Sequence, residues 1–388
     1  MSARALLRVV GAALPSALRF VPHTVLVCGL LAATPAPTPA ATPAAAPARA
    51  ADRVLPPPSP AAGAALLELG RHLFFESRLS GDGSRSCASC HAPARGFSEG
   101  AALSRGYNHT GHFRNAPGLL GLRLKERLGW DGRYRFDELP KLVEEMLTSP
   151  ITMNGNPGII AERVRQVPQL LQLWQRAFGE RTQPSFDGVA RAIAAWSAAH
   201  DGGDTAVDAA LRGDASALSP RAAEGLRLFT GKAGCSRCHS GPAFSDGQAH
   251  RLGVPESPQI LRDPERTVAL LAHHASRGSA DPMSERSDTG VHALTRRAAD
   301  RGRFFTPGLR GVAQTAPYMH NGILPDLAAV VAFYDRGGGR GSETKPLGLT
   351  AGEREALVAL LEALTPRTPV AVTPPPAFDY ATQAGAGR

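Results

Sequence analysis

The pentad Cys87-Ala88-Ser89-Cys90-His91 decides how this chain is read, because it returns as Cys235-Ser236-Arg237-Cys238-His239. Two thiols separated by two residues can add to the two vinyl groups of a haem. A histidine directly after the second thiol then swings beneath the ring to ligate the iron. Zinc asks for four ligands in one cluster, whereas each pentad offers three and a domain's length of chain separates them. The sequence has 388 residues with five cysteines and 12 histidines, too few for two such pentads to arise by chance. Apart from Cys28, every cysteine belongs to a pentad, which leaves none for a structural disulfide. The expectation is two covalently attached haems, one carried by Cys87, Cys90 and His91 and one by Cys235, Cys238 and His239.

Outward from the pentads, the chain is long enough for two domains, and 43% hydrophobic residues can supply two cores. The expected fold class is mainly α, with two cytochrome c-like domains that each hold one haem. Residues 1–58 read as a targeting segment and Ala/Pro-rich linker, 59–210 as the first domain, 211–366 as the second, and 367–388 as a disordered tail. Breakers at Asp201-Gly202-Gly203-Asp204 and from Asp214 to Ser219 mark the boundary. Leu139, Leu142, Val143, Met146 and Leu147 recur at helical spacing. So do Val164, Val167, Leu171, Trp174 and Phe178, in a segment that Pro168 can kink. Ser219-Pro220 reads as the start of a helix that Gly231 ends, and Thr350 with Glu353 as a capping box for a helix running to about Leu364. Strand signals are short and scattered. Each half leads into its pentad with a helix ending in a Leu-Phe pair, Leu73-Phe74 and Leu228-Phe229.

The net charge of +9 is no nucleic-acid footprint. Four arginines (Arg4, Arg8, Arg19, Arg49) precede the first acidic residue, Asp52, and no basic run is interleaved with aromatics. Nucleic acid is therefore excluded as a partner. Arg4 and Arg8 form a positive n-region ahead of the apolar run from Val21 to Ala33, which reads as an export signal and places the protein in the periplasm. Cleavage after Ala50 and cleavage near Ala32–Ala36 both fit. Lipid attachment at Cys28 is an alternative, although Leu26-Val27 lacks the small residue normal before a lipidated cysteine, and an uncleaved membrane tether is a third arrangement. No later run is apolar enough to span a membrane.

Further stretches have a recognisable order: Leu69-Gly70-Arg71-His72-Leu73-Phe74-Phe75, Arg78-Leu79-Ser80-Gly81-Asp82-Gly83, Arg114-Asn115-Ala116-Pro117 and Trp130-Asp131-Gly132-Arg133. Thr306-Pro307-Gly308-Leu309-Arg310 and Thr315-Ala316-Pro317-Tyr318-Met319-His320-Asn321-Gly322 follow. Through them, residues 65–365 resemble the bacterial dihaem cytochrome c peroxidase family, whose relatives include MauG. The resemblance implies that hydrogen peroxide reacts at the first haem, with His91 as proximal ligand, and that the second haem, on His239, relays electrons. It implies that Trp130 lies between the two as an electron stepping-stone, the bland alternative for the residue alone being a core aromatic. It also implies a Ca²⁺ ion held by Asn115, Thr315 and the carbonyl of Pro317. Oxygen donors suit that hard ion, though Asn and Thr by themselves would never suggest it.

Departures from the family pattern are informative. Other members place a methionine fourteen positions after the histidine of Pro-Tyr-x-His. Counted from His320, that position is Tyr334, and MauG also has a tyrosine there. Tyr334 is the expected sixth ligand of the second haem, with Met319 as competitor. Tyr107 stands where the family has a gating histidine. His109 and His112 follow it, and each can reach the first iron from a loop. The distal acid of the family falls at Thr152, within Pro150-Ile151-Thr152-Met153. Glu144 and Glu145 are nearby, on what would ordinarily be a solvated helix face. Trp130, Tyr107 and Thr152 are thus the candidate catalytic positions. Peroxide cleavage needs a proton moved between its oxygens, so threonine in place of the acid implies weak turnover. His250 and His320 are expected at the edge of the second haem, and the other histidines as ordinary core or surface residues.

Three functions fit. One is a peroxidase fed by a small donor cytochrome or cupredoxin. The second is an electron-transfer cytochrome without turnover, and the third a MauG-type oxidase of a protein substrate. A homodimer is compatible with each.

Overall fold

The computed structural model describes residues 62–368 and 372–376. The export signal, Cys28 and the linker up to residue 58 lie outside the described residues. Among the described residues, six α-helices precede residue 200: α1 (Ala64–Phe75), α2 (Cys87–Cys90), α3 (Leu139–Thr148), α4 (Pro157–Arg165), α5 (Pro168–Phe178) and α6 (Phe186–Ala198). Seven follow: α7 (Ala206–Leu211), α8 (Pro220–Thr230), α9 (Pro258–Arg262), α10 (Pro264–Ser276), α11 (His292–Thr295), α12 (Leu327–Asp335) and α13 (Ala351–Glu362). The strands are two-residue pieces. β1 (Arg127–Leu128) pairs antiparallel with β2 (Tyr134–Arg135), and β3 (Ala249–His250) with β4 (Phe304–Phe305). The protein is mainly α, as the spacing of its apolar residues implied.

Local chemistry sets the helix ends. Ser219 Oγ accepts from Ala222 N at 3.2 Å to open α8, and Gly231 follows its last turn. Thr350 and Glu353 form the expected capping box, and α13 ends at Glu362, two residues before the expected Leu364. The apolar repeat from Val164 to Phe178 is two helices rather than one kinked one. Pro168 has no N–H to donate and its ring clashes with the preceding turn, so α4 stops at Arg165 and Pro168 becomes the first residue of α5.

Two hydrophobic clusters organise these elements. The first is built on Leu69, Leu73, Phe74, Phe97, Leu147, Val164, Trp174, Ile193 and Trp196. The second is built on Val207, Leu228, Phe229, Phe244, Leu309, Val331, Leu357 and Leu360. Each centres on a close helix crossing that requires glycine: a β-carbon on Gly70 of α1 would collide with the Ala192 carbonyl of α6, and one on Gly225 of α8 with the Ala356 carbonyl of α13. In the first core Trp196 lies 4.5 Å from Phe74 and 5.9 Å from Phe97, between ring centroids. Emptying such a position, as in Phe74→Ala, costs about 3–5 kcal/mol. Part of the tail expected to be unstructured returns to this core, where Val372 packs against it and the Thr373 carbonyl accepts from Arg71 at 3.1 Å.

Candidate functional site

Both pentads are folded the same way, on locally different scaffolds. Cys87–Cys90 form the single turn α2, capped reciprocally by Ser86 and Ser89, whereas Cys235–Arg237 form a 3₁₀ turn. In each, the amide of the histidine donates to the carbonyl of the first cysteine at 2.9 Å, which folds the ring back over the turn. His91 Nδ1 lies 2.9 Å from the Phe97 carbonyl and His239 Nδ1 2.9 Å from the Phe244 carbonyl. Nδ1 is therefore the protonated nitrogen, and Nε2 keeps its lone pair for a metal. Phe97 and Phe244 both adopt left-handed backbone, with φ 58° and 54°. Behind them, the prolyl carbonyls of Pro117 and Pro307 also face the two rings. The same duplication places Gly118 against the Gly96 carbonyl and Gly308 against the Ala243 carbonyl, each 2.9 Å from where a β-carbon would stand.

These sites fit haem and not free-thiol chemistry. Burial pushes the Cys87 and Cys90 thiols up to about 12 and Cys235 up to about 11, the opposite of what a reactive thiolate requires. Thiols held neutral in an apolar setting, beside an imidazole with an open Nε2, are arranged for capping by a vinyl group. Cys238, Asp246 and His250 bring ligand atoms within 4.8 Å of one another, but Cys238 belongs to the pentad. His250 donates to Asp246 at 2.8 Å and faces Glu343 at 3.5 Å. It is held up at about 10, chiefly by the Asp246 bond and next by the Cys238 sulfur.

Tyr334, in the last turn of α12, lies within electrostatic reach of the second pentad. Burial raises its hydroxyl, and the neighbouring Cys235 and Cys238 sulfurs raise it further. Met319 occupies a left-handed corner, φ 74°, in the turn bridged by Tyr318 and Leu324.

Between the pentads the two halves exchange backbone hydrogen bonds reciprocally. Asn115 N donates to the His320 carbonyl at 2.7 Å, and Phe305 N to the Trp130 carbonyl at 3.0 Å. Trp130 Nε1 donates to the Asn115 carbonyl at 2.9 Å. His320 stacks on Phe304 at 3.8 Å, and burial pulls its imidazole down to about 4. Thr315 lies beside the same crossing, since its Cγ2 is 3.0 Å from where a β-carbon of Gly118 would be. Asn115 Nδ2 donates to Ala101 O at 2.8 Å, which leaves Oδ1 as the side chain's oxygen donor. Thr315 Oγ1 donates to Val312 O at 3.0 Å and keeps lone pairs for a cation. The segment from Asn115 to Gly118 and Thr315 are thus adjacent.

A buried ion network that sequence reading missed secures this crossing. Arg114 donates to Asp131 at 2.7 Å and to both oxygens of Asp288 at 2.5 and 2.9 Å. Arg133 joins Asp131 at 3.2 Å and Glu145 at 2.5 Å. Burial alone would raise Asp131, but Arg114 and Arg133 outweigh it and hold that carboxyl at about 2. Glu145 is therefore not on a solvated face: Tyr134 and Arg277 also donate to it, at 2.6 and 3.0 Å.

The loop carrying Tyr107, His109 and His112 is held from the other half. Arg266 of α10 donates to the carbonyls of Ser104 at 3.1 Å and of His112, and Gly111 N donates to Glu265 at 3.1 Å. Leu103 and Phe113 pack on Ile260, Ala269 and Leu270. Tyr107 N donates to the Thr152 carbonyl at 2.5 Å, so those two positions do meet. The Thr152 hydroxyl, however, donates to Met146 O at 2.6 Å and Ser149 O at 3.1 Å. His112 Nδ1 accepts from Arg114 N at 2.9 Å and burial pulls the ring down to about 3. His109 is exposed and lies 3.1 Å from Arg85.

A mainly α chain with two thiol-thiol-imidazole sites has the make-up of a dihaem c-type oxidoreductase. Residues 64–216 match the di-haem cytochrome c peroxidase family. The chain is 45% identical over 329 residues to cytochrome-c peroxidase IdrP2 of Denitromonas iodatirespirans, covering 84% of this chain and 88% of the relative. It is 34% identical over 311 residues to the methylamine utilization protein MauG of Methylorubrum extorquens, covering 79% and 80%. Among solved structures it resembles a MauG-like protein associated with microbial copper homeostasis, with TM-score 0.68, 26% identity, and coverage of 87% and 97%. The chain belongs to the dihaem cytochrome c peroxidase family, and it is an oxidoreductase of the peroxidase/MauG type that uses two haems. Among the described residues, no helix is long and apolar enough to cross a membrane.

Proposed function

We propose that the protein is an exported, periplasmic peroxidase that reduces hydrogen peroxide at the His91 site with electrons that enter at the His239 site. The haems, when bound, supply peroxide reduction and electron storage. The chain's own residues position, conduct and exclude water. Cys87 and Cys90, and Cys235 and Cys238, anchor the two groups, while the Phe97 and Phe244 carbonyls orient His91 and His239. Tyr334 offers a buried phenol oxygen as further ligand on the second side, and Asn115, Thr315 and the Pro317 carbonyl hold calcium at the crossing. Trp130 carries the reading: its backbone is bonded to one half and its indole N–H to Asn115, so it stands where electrons pass between the sites.

The duplicated pockets and cores support two cytochrome c-like domains, 59–210 and 211–366, with Val207 packing into the second core. The partner is a small cytochrome or cupredoxin donor. Steady-state peroxide consumption with a reduced small cytochrome tests the assignment: turnover should be measurable, saturable and lost in His91→Gly. No consumption above that variant overturns it.

A specific observation favours slow turnover. The Thr152 hydroxyl and the Glu145 carboxylate are both committed to other partners, so neither is placed to shuttle a proton. The reading as an electron-transfer cytochrome without turnover stands or falls on the same assay. Oxidation of a partner protein, the MauG-like alternative, would appear as peroxide consumption that needs that partner and no donor cytochrome.

A further inference from the structure

Lys125 is a cation that the site described so far does not use. Its Nζ reaches the carbonyl of Gly118 only at 3.5 Å, the outer limit of a hydrogen bond. Its Cε lies 3.5 Å from where a β-carbon on Gly308 would stand. Gly118 and Gly308 follow the two prolines whose carbonyls face His91 and His239, so the ammonium sits where the two proximal turns approach each other. Neighbouring cations have carboxylates: Arg123 pairs with Asp201 and Arg310 with Asp208, each at 2.8 Å. Among the described residues no carboxylate lies within ion-pair distance of Lys125. Lys125 is half-buried, and that burial pulls it down to about 8 with no counter-charge to offset it.

Such a charge is costly unless something pairs with it. The group that belongs in this space brings carboxylates of its own, since each haem has two propionates. We propose that Lys125 is the counter-cation of a propionate on the haem attached at Cys87 and Cys90. The choice between the haems follows from the carbonyl that Nζ touches, because Gly118 belongs to the His91 turn. A cation beside that propionate cancels negative charge near one iron and favours its ferrous form, while the other iron is largely spared.

The inference rests on the dihaem reading, and the test separates the two. Full-length holoprotein and the variants Lys125→Met, Lys125→Gln and Lys125→Arg are assayed for haem content by pyridine haemochrome. Each is then titrated electrochemically, with the haems distinguished by their EPR signals. Both neutral variants should keep two haems and show a lower reduction potential at the His91 haem, with Lys125→Arg close to wild type. Two haems with unshifted potentials, or a shift confined to the His239 haem, overturns the proposal alone. Fewer than two haems in the wild type overturns the dihaem reading and the proposal with it. Should the neutral variants fail to fold, resonance Raman of wild type and Lys125→Arg decides. The propionate-bending band of one haem must move when the donor changes, and an unmoved band overturns the proposal.

Discussion

The amide of Asn115 donates to the carbonyl of His320 at 2.7 Å, and this bond has a counterpart in which Phe305 N donates to the Trp130 carbonyl at 3.0 Å. The two bonds run in opposite senses between corresponding segments of the halves. Each segment that presents a prolyl carbonyl to its own histidine is thereby tied to the turn that leads into the other half. A change at one pocket can reach the other by working on this exchange or on the ion network behind it.

Trp130→Phe removes the indole donor and strands the Asn115 carbonyl, which costs about 1–3 kcal/mol if that oxygen stays dry. Haem content and the spectra of the separate haems should be preserved, because neither pocket loses a ligand. Electron transfer between them, followed by flash or stopped-flow reduction of one haem, should slow. Unchanged transfer would show that Trp130 is packing and nothing more.

The ion network predicts how stability depends on pH. Asp131 is held at about 2, below the ordinary carboxyl value of about 3.9, and Asp288 is lowered in the same way by Arg114. A carboxyl depressed on folding stabilises fully above its unfolded value, and loses that contribution as pH falls through the folded one. The contribution of these two carboxyls should therefore be flat above about pH 5 and fall steadily toward pH 2, on top of a loss that begins near pH 6.5 from His112 and His320, held at about 3 and about 4 against an unfolded value of about 6.5. Arg114→Met, which leaves buried Asp288 without its partner and Asp131 with Arg133 alone, should cost about 3–5 kcal/mol near neutrality. It should also flatten the acid slope. Urea unfolding of both proteins at several pH values reads this directly, and an unaltered slope in the variant refutes it.

How much of this was legible in sequence depends on the range of the interaction. Cys87 to His91 and Cys235 to His239 are contiguous, and so are the caps at Ser219 and Thr350, because each acts within one turn. Pro168 was flagged correctly as a disturbance, but its effect, a break rather than a kink, depends on how α4 and α5 pack. The carbonyls of Phe97 and Phe244 lie within six residues of their histidines, yet any residue has a carbonyl, so nothing in residue type marks them. A signal did exist in the repeated Pro-Gly-Leu at 117–119 and 307–309, which aligns the halves and picks out Lys125 between them. Arg114, Asp131 and Asp288 come from distant segments and met only on folding. Glu145 was misjudged as solvated for that reason, since the cations that bury it are Arg133 and Arg277.

Calcium and Tyr334 can be tested on the same preparation. Chelation by EGTA should slow transfer between haems more than it perturbs either haem alone, because Asn115 and Thr315 belong to different halves and one ion would pin them together. No metal by elemental analysis, together with no effect of chelation, sinks the calcium site. Tyr334→Phe should shift the spectrum and potential of the His239 haem only. If Met319→Leu produces that shift and Tyr334→Phe is silent, the ligand is Met319.

Peroxide turnover is expected to be slow for a reason that can be reversed. The Thr152 hydroxyl is spent on the carbonyls of Met146 and Ser149 at the end of α3, and a hydroxyl in any case lacks the pKa of a proton shuttle. General acid–base assistance is worth about 10²–10⁴-fold, so turnover should fall short of acid-bearing relatives by a factor in that range. Thr152→Glu should raise it while losing about 0.5–1.5 kcal/mol of stability with the hydroxyl's hydrogen bonds. Thr152→Val loses the same bonds without adding an acid, so it should match Thr152→Glu in stability and the wild type in rate. A gain in both variants would mean that loosening the loop, which α10 clamps through Arg266, is what limits the reaction. Rapid turnover by the wild type would require another acid. Glu145 is excluded by its three donors, Arg133, Tyr134 and Arg277, so Glu144→Gln becomes the variant to measure.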